Sequence, residues 1–254
     1  MEKGTTVNVL DHGYVRYIDH MGSDERICEA ARISYKSPSK GKEQDQKLIN
    51  YLWKNKHTSP FEMVKLTVNI KLPIFVMRQY VRHRMQNLNE VSARYTELPN
   101  EFYIPIQWRK QDTKNKQGSI NDEDWNIPNT HELFVGGEFS ASATRKVSKN
   151  EYLTAVLSDT CNTAYERYQY LLKEGVAREM ARMVLPLNIY TEIYACWDMK
   201  NLLHFITLRD DPHAQFEIQE YGKVIKSMCK ELFPMTMNAY ERYKWELVGL
   251  DPEK

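Results

Sequence analysis

From Val64 to Leu72 apolar and polar residues alternate without a slip, with Val64, Leu66, Val68, Ile70 and Leu72 on one side and Lys65, Thr67, Asn69 and Lys71 on the other. Successive side chains of a strand point to opposite faces, so the stretch predicts a strand with one buried and one wet face. A one-sided strand of this length demands a sheet and a layer to cover it. Pro73 follows and suits the first turn of a helix. Ile74, Met77, Val81 and Met85 then recur at helical spacing, which predicts a helix running to about Met85 with these residues in the core. On that helix Gln79, Arg82, His83 and Gln86 share another face.

Around this unit the pattern is mixed. Residues 5–21 predict short strands about a turn at Asp11-His12-Gly13, and Ser23 is a plausible N-cap for a helix using Ile27, Ala30, Ala31 and Ile33 as its apolar face. A second helix over 43–54 would bury Leu48, Ile49, Leu52 and Trp53. Residues 109–142 are rich in Lys, Asn, Asp, Gly and Ser and predict an inserted loop region. A long helix over 149–173 ends at Gly175. A short helix should carry Arg178 and Arg182, a strand covers 188–197, and helices cover 199–208, 213–232 and 236–246. There is no βαβαβ rhythm. The expected fold is α+β, with a mixed or antiparallel sheet and packed helices, in a single domain over 1–254.

The charge balance restricts the partners. Formal net charge is +1 and the sequence pI is about 7.7, whereas a non-specific DNA binder draws its affinity from a strongly basic surface. Any anion site must therefore be concentrated. No stretch approaches a membrane span, and the N-terminal segment lacks the apolar run of a signal peptide, so a cytoplasmic protein without membrane partners is expected. Cys28, Cys161, Cys196 and Cys229 are far apart with no CxxC, which suggests reduced thiols and neither a disulfide framework nor a metal site.

The concentrated site lies just after the strand. Between Arg78 and Arg94 four arginines (Arg78, Arg82, Arg84, Arg94) stand against one carboxylate, Glu90. Arginine's planar fork suits phosphate. His83, Ser92, Gln79, Asn87 and Asn89 add the neutral polar partners of a ligand site, although a surface salt-bridge cluster is the bland alternative. On these residues alone an RNA- or nucleotide-binding protein without redox chemistry stays open.

Arg82-His83-Arg84, seven residues and then Ser92 has the RHR-x7-S form of the flavin-dependent thymidylate synthases, which this chain resembles. His57-Thr58-Ser59-Pro60-Phe61-Glu62 is similar to the family's H-x-[ST]-P-F-E segment, and Ala181-Arg182-Met183-Val184-Leu185-Pro186 to its A-R-x-x-L-P segment. Leu203-His204-Phe205, Leu208-Arg209 and His213-Ala214-Gln215 follow in the family's order. Asp198 and Lys200 depart from it, standing where Asn and Arg are more frequent. No GxGxxG follows any strand, so the flavin site would be non-Rossmann.

The resemblance implies methylation of dUMP to dTMP, with methylenetetrahydrofolate as carbon donor, NADPH as reductant and FAD as hydride carrier. It implies a homotetramer with active sites shared between subunits and no nucleic-acid partner. It places FAD on Ser59, Arg82, His83, Arg84, Glu90, Asp198, Met199, Lys200 and His204. It places dUMP on Gln79, Tyr80, Val81, Arg82, Glu90, Val91, Ser92, Ala93, Arg94, Arg182 and Arg209. Backbone amides of 90–94 would cradle the phosphate, and Arg209 would act catalytically by stabilising negative charge on the uracil. Ser92 has no nucleophile elbow and is expected to position dUMP rather than attack it. The cysteines lack the basic sequence neighbourhood of an activated thiolate.

Overall fold

The computed structural model describes residues 1–36, 41–116, 118–135 and 143–248. These form two compact units, one of Met1–Leu72, Val76–Val91 and residues from Thr191 onward, the other of Pro73–Phe75 and Ser92–Tyr190. The fold is α+β: helices with a largely antiparallel sheet.

The first unit is built on a five-stranded sheet. Its strands are β1 (Thr6–Val9), β2 (Gly13–Met21), β3 (Lys65–Pro73), β4 (Asn87–Glu90) and a strand over Tyr190–Asp198, here β9. The spatial order is β1-β2-β3-β9-β4, with the β1–β2, β2–β3 and β4–β9 neighbours antiparallel. The alternation in β3 is realised: Leu66, Val68, Ile70 and Leu72 are buried. Each such aliphatic side chain contributes on the order of 1.5–3 kcal/mol when removed from water. The opposite face departs from expectation at Asn69, which is buried at 1% exposure. Its amide donates to Glu192 Oε1 at 2.9 Å and to the Ile193 carbonyl at 3.1 Å, while its oxygen accepts from the Tyr14 hydroxyl at 3.2 Å. A fully satisfied amide can be buried where an unpaired one cannot.

Helices α1 (Asp24–Arg32) and α2 (Lys42–Lys54) belong to the same unit. The buried stripe of α1 is Asp24, Ile27 and Cys28; Ile33, expected in the core, lies beyond the helix and is 76% exposed. Ser23 has the extended backbone of an N-cap, but its hydroxyl donates to the Glu25 carboxylate instead of capping a backbone N–H.

The helix after β3 is shorter than predicted. It is α3 (Ile74–Tyr80), and Pro73 is the last strand residue rather than the first helical one. Beyond Tyr80 the bonds tighten to three-residue spacing, from Arg82 N to the Gln79 carbonyl and from His83 N to the Tyr80 carbonyl, each at 3.2 Å. The chain then leaves the helical path. Val81 and Met85, assigned to the core by periodicity, are 37% and 66% exposed, whereas His83 is 8% exposed.

In the second unit Ala93, Leu98, Phe102, Cys161 and Ile189 form the core. The region 109–142 is not a plain loop. It contains a hairpin of β5 (Arg109–Gln111) and β6 (Ser119–Asn121), and β7 (His131–Val135), which pairs with β8 (Ala143–Val147). Its residues 117 and 136–142 lie outside those described. These strands carry little apolar alternation and hold by backbone pairing and aromatic anchors, such as Lys149 over the Trp125 ring at 3.9 Å. Helix α4 (Lys149–Lys173) is capped by Ser148, whose hydroxyl accepts from Glu151 N at 3.1 Å, and ends before Gly175 at φ +81°. Helix α5 (Arg178–Ala181) then passes into a short 3-10 turn over Arg182–Val184.

Three helices complete the first unit: α6 (Met199–Arg209), α7 (Phe216–Leu232) and α8 (Pro234–Val248). Asp24, 3% exposed, ties α1 to α8. Its carboxylate accepts from Met235 N at 2.8 Å, Thr236 N at 3.0 Å and the Thr236 hydroxyl at 2.5 Å, satisfying donors that the start of a helix leaves open. Burial raises the carboxyl pKa above its ordinary value, and these bonds offset only part of that rise. Asp24→Ala would leave those donors buried and unpaired, and is predicted to cost about 2–4 kcal/mol. A denaturant titration checks this; a change below about 0.5 kcal/mol contradicts the role.

Candidate active site

His83 enters the first unit because the chain turns inward after Tyr80. The Tyr80 side chain is itself buried, its hydroxyl accepting from Trp197 Nε1 at 2.7 Å. The imidazole meets the Phe205 ring edge-on with centroids 5.0 Å apart, and the Trp197 and His204 rings at 6.2 and 6.1 Å. Arg209, at the end of α6, donates from Nε to His83 Nε2 at 2.9 Å. Two residues 126 positions apart are thereby joined.

That bond fixes the histidine's state. A nitrogen that accepts from a guanidinium carries no proton, so the neutral ring is protonated at Nδ1. Burial, then the Arg209 charge, then His204, push the His83 pKa down to about 4. His204 is lowered by partial burial, Lys200 and Arg209, and Arg209 itself by burial. The site therefore holds two imidazoles in the neutral form and one partly desolvated guanidinium.

These residues line a cavity of about 550 Å³ together with Arg82, Arg84, Met85, Trp197, Asn201 and Leu208. The structure thus brings Arg82, His83, Arg84, His204 and Arg209 together, five of the residues anticipated from sequence. Arg82 and Arg84 have no side-chain partner among the described residues. Unpaired arginines beside a concave wall of rings present an uncompensated positive field to an anionic ligand.

Other anticipated residues stand apart from the cavity lining. Ser59 is exposed at the start of a 3-10 turn over Ser59–Met63. The Met199 side chain is buried at 0% exposure, so it belongs to the core, and its N–H donates to the Val64 carbonyl. Lys200 lies 3.7 Å from the Glu62 carboxylate. Asp198 caps α6. Gln79 donates to Gln215 Oε1, and Gln215 donates in turn to the buried Glu217 carboxylate at 2.8 Å.

The 90–94 stretch is divided. Glu90, exposed at the end of β4, accepts from the Thr191 hydroxyl at 2.7 Å, and Val91 N donates to the Glu192 carbonyl. Val91 N–H is therefore spent within the sheet edge and is unavailable to a phosphate, a correction to the expected amide cradle. Ser92, Ala93, Arg94 and Arg182 belong to the second unit. There Arg94 N donates to the Ser92 hydroxyl at 3.3 Å, and the Arg94 guanidinium lies over the Tyr95 ring. The Ser92 and Ala93 N–H groups and the Arg182 side chain have no partner among the described residues.

Sequence reasoning missed Trp197 and Asn201. Asp198-x-x-Asn201 has the spacing of an N-cap and its third helical residue, a signal that could have marked Asn201 as oriented by its neighbour. Three of the thiols are held in the unreactive protonated form: burial pushes Cys28 and Cys229 up to about 12 and raises Cys161. Among the described residues no group of three or more His, Cys, Asp or Glu could hold a metal, and no helix is long and apolar enough to cross a membrane.

Comparison with known proteins defines the class. Residues 16–235 match the family model described as thymidylate synthase complementing protein. The chain is 43% identical over 249 residues to a flavin-dependent thymidylate synthase of Thermus thermophilus, covering 97% of this chain and 82% of that one. It is 43% identical over 237 residues to that of Wolbachia pipientis wMel, covering 92% and 76%. Among solved structures it is similar to the UMP/dUMP methylase PolB of Streptomyces cacaoi bound with 5-Br UMP, with TM-score 0.74, 28% identity, and 93% and 97% of the two chains covered. The chain belongs to the flavin-dependent thymidylate synthase family.

The His83 geometry has a pH signature. The unfolded chain binds a proton at His83 near pH 6.5 and the folded chain only near 4, so this contribution to stability is present above 6.5 and is lost as pH falls toward 4. Nitrogen-15 NMR of labelled histidine is expected to show His83 neutral and Nδ1-protonated at pH 6. A charged ring at that pH contradicts the assigned bond.

Proposed function

We propose that this enzyme converts dUMP to dTMP, taking the one-carbon unit from methylenetetrahydrofolate and reducing equivalents from NADPH, with FAD as its cofactor. The observation that carries the reading is the Arg209–His83 hydrogen bond, which joins the RHR segment to the arginine expected at the uracil. The cavity residues fit a flavin: ring edges from Trp197 and His83, neutral imidazoles, and Arg82 and Arg84, which have no side-chain partner among the described residues and suit a diphosphate. Arg82, His83, Arg84 and His204 would hold FAD, with Ser59, Glu90 and the main chain of 198–200 in support. FAD, when bound, supplies hydride to the pyrimidine.

The chain's own residues do the rest. The family resemblance assigns dUMP to Gln79, Arg82, Glu90, Ser92, Ala93, Arg94 and Arg182, of which Gln79, Arg82 and Glu90 lie with Arg209 in the first unit. With Nε–H committed to His83, the Arg209 guanidinium is anchored at the cavity and its terminal N–H groups are left for the uracil. A fixed cation at the uracil edge stabilises the charge that builds when N3 ionises and makes C6 a better hydride acceptor. A second charge on His83 would oppose Arg209, and the depressed pKa prevents it. Activation of the pyrimidine rests in this reading on that field, and burial raises the Cys28, Cys161 and Cys229 thiols away from the nucleophilic thiolate form. A cytoplasmic homotetramer belongs to the same proposal; Met183 and Leu187, 72% and 62% exposed, offer apolar surface for such an assembly.

The direct experiment is dUMP-dependent NADPH oxidation and dTMP formation with added FAD and the folate. Colourless protein that ignores FAD, and whose RNA binding falls steeply with salt, would overturn the reading. Arg209→Ala is expected to retain FAD while dTMP formation falls about 10²–10³-fold, the usual cost of removing one preorganised stabiliser of developing charge. Unchanged turnover in that variant contradicts the role of Arg209.

A further inference from the structure

Asp198 spends both carboxylate oxygens on one residue. Oδ1 accepts from Asn201 N at 3.0 Å, capping α6, and Oδ2 accepts from Asn201 Nδ2 at 2.7 Å. An ionised carboxylate has no proton to give, so the atom facing Oδ2 must be the amide nitrogen. The orientation of the Asn201 amide is set by chemistry. Its carbonyl Oδ1 and second N–H have no partner among the described residues, and Asn201 lines the cavity that holds His83, His204 and Arg209.

An open side-chain acceptor is scarce among the residues lining that cavity. Arg82, Arg84 and Arg209 only donate, and the accepting nitrogen of His83 is already taken by Arg209. The Asn201 carbonyl and one nitrogen of neutral His204 remain. Asn201, His204 and Leu208 lie at i, i+3 and i+7 along α6, so the amide stands one turn before His204 on the helix face that lines the cavity.

We propose that Asn201 is a ligand-binding residue of this site, its Oδ1 accepting from the imide N–H of the flavin ring, and that Asp198 is the positioning residue that holds it. The proposal rests on the flavin reading above. Uracil carries an imide N–H of the same chemistry; the place of Asn201 beside His204, on the flavin side of that reading, selects the cofactor.

The test is titration of the full-length apoprotein with FAD, followed by flavin fluorescence, and separately with dUMP by calorimetry. Asn201→Ala leaves the Asp198 cap on the helix backbone intact. It is expected to weaken FAD binding about tenfold, the worth of one neutral hydrogen bond, with dUMP affinity and melting temperature unchanged. Asp198→Ser retains a capping oxygen but cannot engage both donors of Asn201; it is expected to weaken FAD several-fold with the melting temperature retained. FAD affinity within twofold of wild type in Asn201→Ala, or a loss confined to dUMP, overturns the assignment. Wild-type FAD affinity in Asp198→Ser overturns the positioning role. Wild-type protein that binds no FAD sinks the flavin reading itself, a separate outcome.

Discussion

The Arg209 Nε to His83 Nε2 hydrogen bond is the interaction on which the site depends. It brings the residues that follow α3 and the end of α6 to one point. It requires α3 to stop at Tyr80, because only the tightened turn that follows carries His83 inward to 8% exposure. It requires a dry wall of Trp197 and Phe205, since the low pKa of His83 comes first from burial. The result is a guanidinium anchored at the cavity beside an imidazole that stays neutral. In water the same pair would be mobile, and the histidine partly charged near its ordinary pKa.

A second ordering device sits at the other end of α6. Asp198 is both the N-cap of that helix and the partner of the Asn201 amide, so helix formation and side-chain orientation are one event. Helix α6 thus carries a held amide at its start and a held guanidinium at its end, with His204 between them. Such preorganisation matters because donors and acceptors already aimed at a ligand need no rearrangement when charge develops. The scaffold beneath is stapled by buried polar groups that are satisfied: Asp24 on the start of α8, Asn69 across the sheet, and Arg32 with Asp45 at 2.5 Å.

Much of this was legible in the sequence. The β3 alternation is a local, period-two signal, and it named the buried apolar face correctly, missing only the buried Asn69 on the other face. The RHR-x7-S motif with its flanking segments pointed to the family and to five residues of the cavity. What failed, failed for physical reasons. Helical periodicity continues through Met85, yet burial of His83 against rings distant in sequence overrides it. The β5–β6 hairpin and the pairing of β7 with β8 are held through backbone groups, which leave no side-chain pattern to read. The Val91 amide is consumed by a carbonyl on β9, a long-range pairing that a single segment does not reveal.

The central claim is that His83 and Arg209 act as one unit. A double-mutant cycle tests it most directly: His83→Gln, Arg209→Lys and the double variant, each read as single-turnover dTMP formation with FAD bound. Residues joined in one hydrogen-bonded network are predicted to show a coupling of about 1–2 kcal/mol, the second substitution costing far less once the first is made. Effects that add within about 0.3 kcal/mol would contradict the account.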